Sequence, residues 1–289
     1  MDHANRLNGK SGSIDASDPV TTTIGSSAAE STCGIAFMAK ASVPGRAKTR
    51  LVPPLTFDEA AALNTAFLQD VANNLLLAAL GAAPHAGIVG YAAYGPPGSE
   101  DFFHRTLPAS IGLIDAWLPN FGDCLLHTIQ EIFARGHGSA VVLNSDSPTL
   151  PTRLLNETAE LLASPGDRAV LGPSSDGGYY LLGLKTAHRR MFEDIAWSTE
   201  RVAEQTLERA RDINLSVHLL PVWYDVDDVE SLHRLDTELR GGDSAGRRSH
   251  PHHCIETAAL MKKLWQDHEF ARRVGGFTHV EKLPARAAG

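Results

Sequence analysis

Unbroken apolar runs and spaced apolar stripes take turns along the middle of the chain. Residues 34–39 form a short apolar run with no polar alternation, the pattern of a strand covered on both faces. Thr56-Phe57-Asp58-Glu59 has capping-box spacing, and Leu63, Phe67, Val71, Leu75 and Leu76 behind it keep helical spacing, so a helix is predicted through Leu80. The same reading predicts strands over 86–91, 111–117, 140–143, 169–171 and 179–184, and helices over 123–135, 154–163, 199–211 and 229–239. This order predicts a single α/β domain with a mixed, mainly parallel sheet flanked by helices. In such sheets ligands lie outside the carboxyl ends of the strands.

Outside these bounds the pattern fades. Residues 1–32 are rich in Ser, Thr, Gly, Asp and Ala without a clear period and read as a disordered tail, with the ordered domain expected over 33–240. Residues 241–248 read as a linker, and 255–274 as one amphipathic helix, so 241–289 is expected to be a linker and helical tail. That helix is also the candidate contact for a homodimer. A formal charge of -8 argues against a nucleic-acid partner. No window of 18 apolar residues predicts a membrane span, and residues 1–33 lack the pattern of a secretory signal. Three widely spaced cysteines give neither a disulfide framework nor a CxxC zinc site, so a reducing cytoplasm is the expected location.

Four strings carry candidate chemistry, and three of them fall at strand ends. The first is Pro44-Gly45-Arg46-Ala47-Lys48-Thr49-Arg50-Leu51, three cations crowded after a Pro-Gly turn. Guanidinium and ammonium groups supply donors without acceptors, which suits phosphates, although a cationic loop can also be a solvated surface. The spacing is not that of a P-loop. The second is Asn144-Ser145-Asp146-Ser147-Pro148, directly after an apolar strand. Mg²⁺ or Mn²⁺ needs only one or two protein carboxylates beside ligand phosphates, so Asp146 suffices as an anchor; a helix cap or Asx-turn is the plainer reading. The third, Gly172 through Tyr180, places Asp176, Gly177, Gly178 and Tyr179 in a tight loop that either faces an acceptor or is an ordinary hairpin turn. The fourth, Trp223-Tyr224-Asp225-Val226-Asp227-Asp228, puts Asp225 and Asp227 on opposite faces if it is a strand, with Asp227 or Asp228 available as a helix cap. Trp197-Ser198-Thr199-Glu200 reads as a helix start with a hydroxyl cap, and Trp197 is a candidate pocket wall. His250-Pro251-His252-His253-Cys254 has metal-binding composition but no structural zinc spacing, and is read as a solvated tail.

Taken together, these strings resemble bacterial glycosyltransferases of the GT-A, nucleotide-diphospho-sugar transferase superfamily, of the arsenosugar-biosynthesis type. The resemblance spans about 34–240 and rests on Met38-Ala39-Lys40, the basic turn, Ser145-Asp146-Ser147-Pro148, the run from Asp176 to Leu184, Trp197-Ser198-Thr199 and Asp225-Val226-Asp227, in that order. Lys48-Thr49-Arg50-Leu51 is also similar to the Lys-Ser-Arg-Leu of phospholactate guanylyltransferases. Asn144 and Ser147 depart from the Gly and Cys common at those places.

The resemblance implies a GT-A/Rossmann-like fold and a metal-dependent transferase using a nucleotide-activated donor. Arg46, Lys48 and Arg50, presented by the turn at Gly45, are then expected to hold donor phosphates, with the base against the backbone of Ala39 and Lys40. A divalent cation, Mg²⁺ or Mn²⁺, is expected on Asp146 and Asp227. Asp176 is the candidate for orienting or deprotonating the acceptor, with Lys48 as the other catalytic candidate, and Gly177, Gly178, Tyr179 and Trp197 as acceptor contacts. The expected partners are a nucleotide-sugar or NTP and a small-molecule acceptor. Glycosyl transfer is the favoured reaction, and nucleotidyl transfer with loss of pyrophosphate is the alternative. A binding protein that has lost catalysis fits less well, because Asp146, Asp176, Asp225 and Asp227 are all present.

Overall fold

A computed structural model describes residues 32–241 and 250–276. The seven strands are β1 (Thr32–Lys40), β2 (Gly87–Gly95), β3 (Gly112–Asp115), β4 (Ser139–Leu143), β5 (Ala169–Pro173), β6 (Tyr179–Leu184) and β7 (Val217–Leu219). Helices are α1 (Phe57–Gly81), α2 (Glu100–Thr106), α3 (Phe121–Ala134), α4 (Thr152–Ala163), α5 (Val202–Asp212), α6 (Val229–Leu239), α7 (Ile255–Leu264) and α8 (His268–Gly276). One sheet holds all seven strands in the order β3-β2-β1-β4-β6-β5-β7. Only β6 runs against its neighbours, pairing antiparallel with both β4 and β5. This is a mixed, mostly parallel sheet with helices on both faces.

The apolar runs of β1 and β4 have a direct cause. Ile35, Phe37, Val141 and Leu143 face one core, with residues of α1, α4, α6, α7 and α8. Ala36, Ala140 and Val142 face a second core, with residues of α3 and α5. A strand buried on both faces has no position to spend on a polar residue. α1 starts where its capping box predicts: Thr56 Oγ1 accepts from Glu59 N–H at 3.2 Å, and Glu59 Oε2 accepts from Thr56 N–H at 2.7 Å.

Three expectations about the helices change. Thr199 does not cap α5, which begins at Val202; its hydroxyl donates to Ala196 O at 2.7 Å and closes a turn instead. The single helix expected over 255–274 is two, α7 and α8. Asp267 Oδ1 accepts from Glu269 N–H at 2.8 Å and restarts the helix, while Trp265 Nε1 donates to Asp236 Oδ1 at 2.6 Å. Nor is the segment before α7 solvated: His252 and Cys254 are buried. The reason is Asp70 of α1, whose carboxylate accepts from Glu256 N–H at 3.0 Å and Thr257 N–H at 2.8 Å and so caps α7 against the domain. Met261, Phe270 and Val274 then join the first core. At the far end Arg273 pairs with both oxygens of Glu59, at 2.6 and 2.8 Å, and donates to Pro54 O at 3.0 Å. Of the tail expected over 1–32, residues 1–31 lie outside the described residues and Thr32 already belongs to β1; residues 242–248 of the expected linker also lie outside them.

Candidate functional site

Because β6 is reversed, its first residues, Tyr179 and Tyr180, stand at the same end of the sheet as the carboxyl ends of β1, β2, β4 and β5. The connections leaving those strands surround a cavity of about 790 Å³. One wall is charged and the other aromatic.

The charged wall is built by three separated segments. β1 ends at Lys40, and the chain turns at Gly45 with φ of 76°. Asn64 of α1 holds this exit, donating to Lys40 O at 3.0 Å and Ser42 Oγ at 2.8 Å. Lys48 follows in a left-handed conformation (φ 49°, ψ 37°), which aims its side chain inward. The second segment leaves β4 as Asn144-Ser145-Asp146, and the third descends from Trp223 to Asp227. Val226 N–H donates to Asp146 O at 2.8 Å and stitches the last two together. Lys48 Nζ lies 2.8 Å from Asp146 Oδ1 and 3.1 Å from Asp227 Oδ1, and donates to Val226 O at 2.7 Å. Burial alone would push its ammonium toward neutrality; the two carboxylates outweigh that and hold it above the usual lysine range. Arg46 also lines the cavity, and the exposed Arg50 reaches Asp227 Oδ2 at 3.5 Å.

Asp225 and Asp227 do not diverge as a strand would make them. Beyond Trp223 the segment leaves the ladder, so period-two alternation does not apply, and both carboxylates line the cavity. Asp225 Oδ1 accepts from Ser174 Oγ at 2.9 Å. Burial, and then the charge of Asp176, raise its carboxyl to about 6. Asp228 is the helix cap, accepting from Ser231 N–H at 2.8 Å.

Across the cavity the β5–β6 turn places Asp176, Gly178 and Tyr179 on its edge. Asp176 Oδ1 accepts from Gly178 N–H at 2.9 Å. Gly177 lies just outside, with φ of 89°, and a Cβ there would stand 2.0 Å from the Glu200 carbonyl oxygen. Its own carbonyl accepts from Ala203 N–H at 2.9 Å, locking the turn to the start of α5. Trp197 sits edge-on to Phe121 and Tyr179, with centroids 5.3 and 6.4 Å away. Trp117 completes the aromatic rim.

Of the residues singled out from the sequence, the cavity therefore gathers Ala39, Lys40, Arg46, Lys48, Arg50, Asp146, Asp176, Gly178, Tyr179, Trp197 and Asp227. Gly45 and Gly177 shape turns behind it. Sequence reasoning missed Asn64, Trp117 and Phe121, and did not assign Asp225. Asn64 had a signal, a polar residue on the apolar stripe of α1. The two aromatics are half exposed and flank Pro119 between a strand and a helix.

Among the described residues no three His, Cys, Asp or Glu side chains cluster as a ready metal site. Asp146 and Asp227 nevertheless fit a hard divalent ion. They offer carboxylate oxygens from two stitched segments, each about one-third exposed toward the cavity, and a positive centre already sits between them. Two protein carboxylates with ligand phosphates suffice for Mg²⁺.

Residues 77–199 match a family described as an uncharacterized protein conserved in bacteria (DUF2064), a span containing Asp146 and Asp176. No curated protein matches the sequence. Among solved structures the chain is similar to one from Desulfovibrio desulfuricans G20, provisionally described as a nucleotide-diphospho-sugar transferase. They share 29% identity with a TM-score of 0.68, covering 84% of this chain and 98% of that one. More distant are Rv0371c from Mycobacterium tuberculosis H37Rv (15% identity, TM-score 0.42, 71% and 96% covered) and a CMP:2-keto-3-deoxy-manno-octonic acid synthetase complexed with CTP (11%, 0.43, 73% and 99%). The fold and the Desulfovibrio likeness place the chain in the GT-A-like nucleotide-diphospho-sugar transferase superfamily. No helix among the described residues is long and apolar enough to cross a membrane.

Proposed function

We propose that the protein is a metal-dependent transferase that takes a sugar from a nucleotide-diphospho-sugar and passes it to a small-molecule acceptor. The observation that carries this reading is the meeting of Lys48, Asp146 and Asp227 at one strand-end cavity, opposite an aromatic wall. Arg46, Lys48 and Arg50 bind the donor diphosphate, and the base lies along the backbone of Ala39 and Lys40. Asp146 and Asp227 hold Mg²⁺ or Mn²⁺. Bound there, the ion would neutralise charge on the departing nucleoside diphosphate. The acceptor rests on Gly178 and on the rings of Tyr179 and Trp197, which present flat apolar surface. Asp176, at the rim between the walls, orients the acceptor hydroxyl and takes its proton.

The test is product analysis. The protein is incubated with Mg²⁺ or Mn²⁺, a panel of nucleotide sugars and NTPs, and mixed hydroxylated acceptors. Release of nucleoside diphosphate from a nucleotide sugar is expected. Release of pyrophosphate from an NTP, with its nucleoside monophosphate joined to an added phosphorylated acceptor and no nucleoside diphosphate freed, would show nucleotidyl transfer instead.

A further inference from the structure

Lys48 carries three N–H donors and no acceptor. All three have protein acceptors here: Asp146 Oδ1 at 2.8 Å, Asp227 Oδ1 at 3.1 Å and Val226 O at 2.7 Å. The side chain is 4% exposed, with the Phe67 ring 5.2 Å from Nζ. It gets there from a left-handed backbone that non-glycine residues seldom adopt. The ammonium is therefore a fully engaged group in a shaped seat. While it sits there, a phosphate has no Lys48 proton to accept. A divalent ion, equally, meets Oδ1 atoms already bound to a positive charge.

Resting on the reading of Asp146 and Asp227 as metal ligands, we propose that Lys48 is a placeholder cation. The ammonium and the divalent ion are alternative partners of the same two carboxylates, and the ion gains them only when a diphosphate draws the ammonium away. Arg50 is suited to make the first contact, since it is 68% exposed and tied to Asp227 only at 3.5 Å. Once Lys48 turns to the phosphates, the two negative charges it leaves are matched by one divalent ion. A fixed positive charge about 3 Å from each carboxylate oxygen otherwise repels that ion at short range in a partly dry site. Donor and metal thus enter as a unit, and the protein alone is a poor binder of divalent cations.

The test uses Mn²⁺ as probe, with bound and free ion separated by electron paramagnetic resonance, on the full chain without nucleotide. Wild type and Lys48→Arg are expected to bind Mn²⁺ weakly. Lys48→Met is expected to bind it about 10-fold or more tightly, and Lys48→Met with Asp146→Asn to return to the weak level. Should Lys48→Met fail to fold, Lys48→Gln, uncharged but still an N–H donor, replaces it. Tight Mn²⁺ binding by wild type alone, or no tightening on loss of the charge, overturns the placeholder. A parallel arm adds ADP, CDP, GDP or UDP to wild type and to Asp146→Asn. Protein-bound Mn²⁺ that depends on Asp146 supports the metal reading whatever the Lys48 variants do. Its absence with every nucleotide overturns the metal reading, and the placeholder with it.

Discussion

The two ends of the sheet hold their polar groups in different settings. At the amino end of β1 and β2, His137 bridges Thr32 Oγ1 and Tyr91 OH, each at 2.7 Å, and the Arg135 guanidinium stands 5.3 Å from the Tyr91 ring. Burial, and then the Arg135 charge, push His137 below its usual range, so the neutral ring is favoured, with one nitrogen as donor and the other as acceptor. At the carboxyl end, side chains converge on a cavity of about 790 Å³, and the buried Asn144 Oδ1 and Tyr179 hydroxyl have no hydrogen-bond partner. A buried polar group normally finds a partner. Where the partners come from within the chain, polarity serves packing. At the carboxyl end the chain instead gathers its polar and charged groups around open space.

Each substitution below tests that division, beginning with the most severe. Asp146→Asn is expected to lower kcat roughly 10²–10³-fold, the scale of losing one electrostatic group at a reacting centre. Its melting temperature should stay within about 3 °C of wild type, because Lys48 keeps Asp227 and the Val226 carbonyl. Gly177→Ala must move the Glu200 carbonyl or the β5–β6 turn, and should cost about 10–100-fold in kcat/KM for the acceptor. Initial-rate kinetics with donor saturating would reveal it. Trp197→Ala should raise acceptor KM about 10-fold, with donor affinity unaltered by calorimetry. At the other end, His137→Phe should lower unfolding stability in urea by about 1–2 kcal/mol and leave kcat within about twofold. A large loss of turnover there would break the division.

The mildest effect is one of pH. Asp225 has its folded carboxyl at about 6, above the ordinary 3.8, so folding favours its protonated form. Its contribution is complete below about 3.8 and is lost as pH rises through 6. Asp225→Asn should therefore melt higher than wild type above pH 6 and no differently near pH 4. Allowing for its partial exposure, the gain should be about 2–4 °C. Thermal scans across that range decide it.

Regular pattern made most of this architecture readable. The capping box at Thr56, the apolar run of β4 and the stripe of α6 each repeat over enough residues to declare themselves. β7 has three residues and α2 seven, too short for periodicity to separate them from loops. The buried His252 was misread because its burial depends on Asp70, 182 positions earlier in the chain. In the site, Asp146 and Lys48 were legible because charge at a strand end stands out. That they would spend themselves on each other was not, since the contact joins residues nearly a hundred positions apart. Trp117 and Phe121 belong to the cavity only through the way β3 and α3 meet in space.

Arg273 gives the far end of the chain an unexpected duty. By gripping Glu59 and the Pro54 carbonyl, α8 splints the stretch that leads out of the cationic turn. A version trimmed before residue 250 would keep its strands yet lose that brace. Inactivity in such a shortened protein would report a slack turn rather than a missing chemical group.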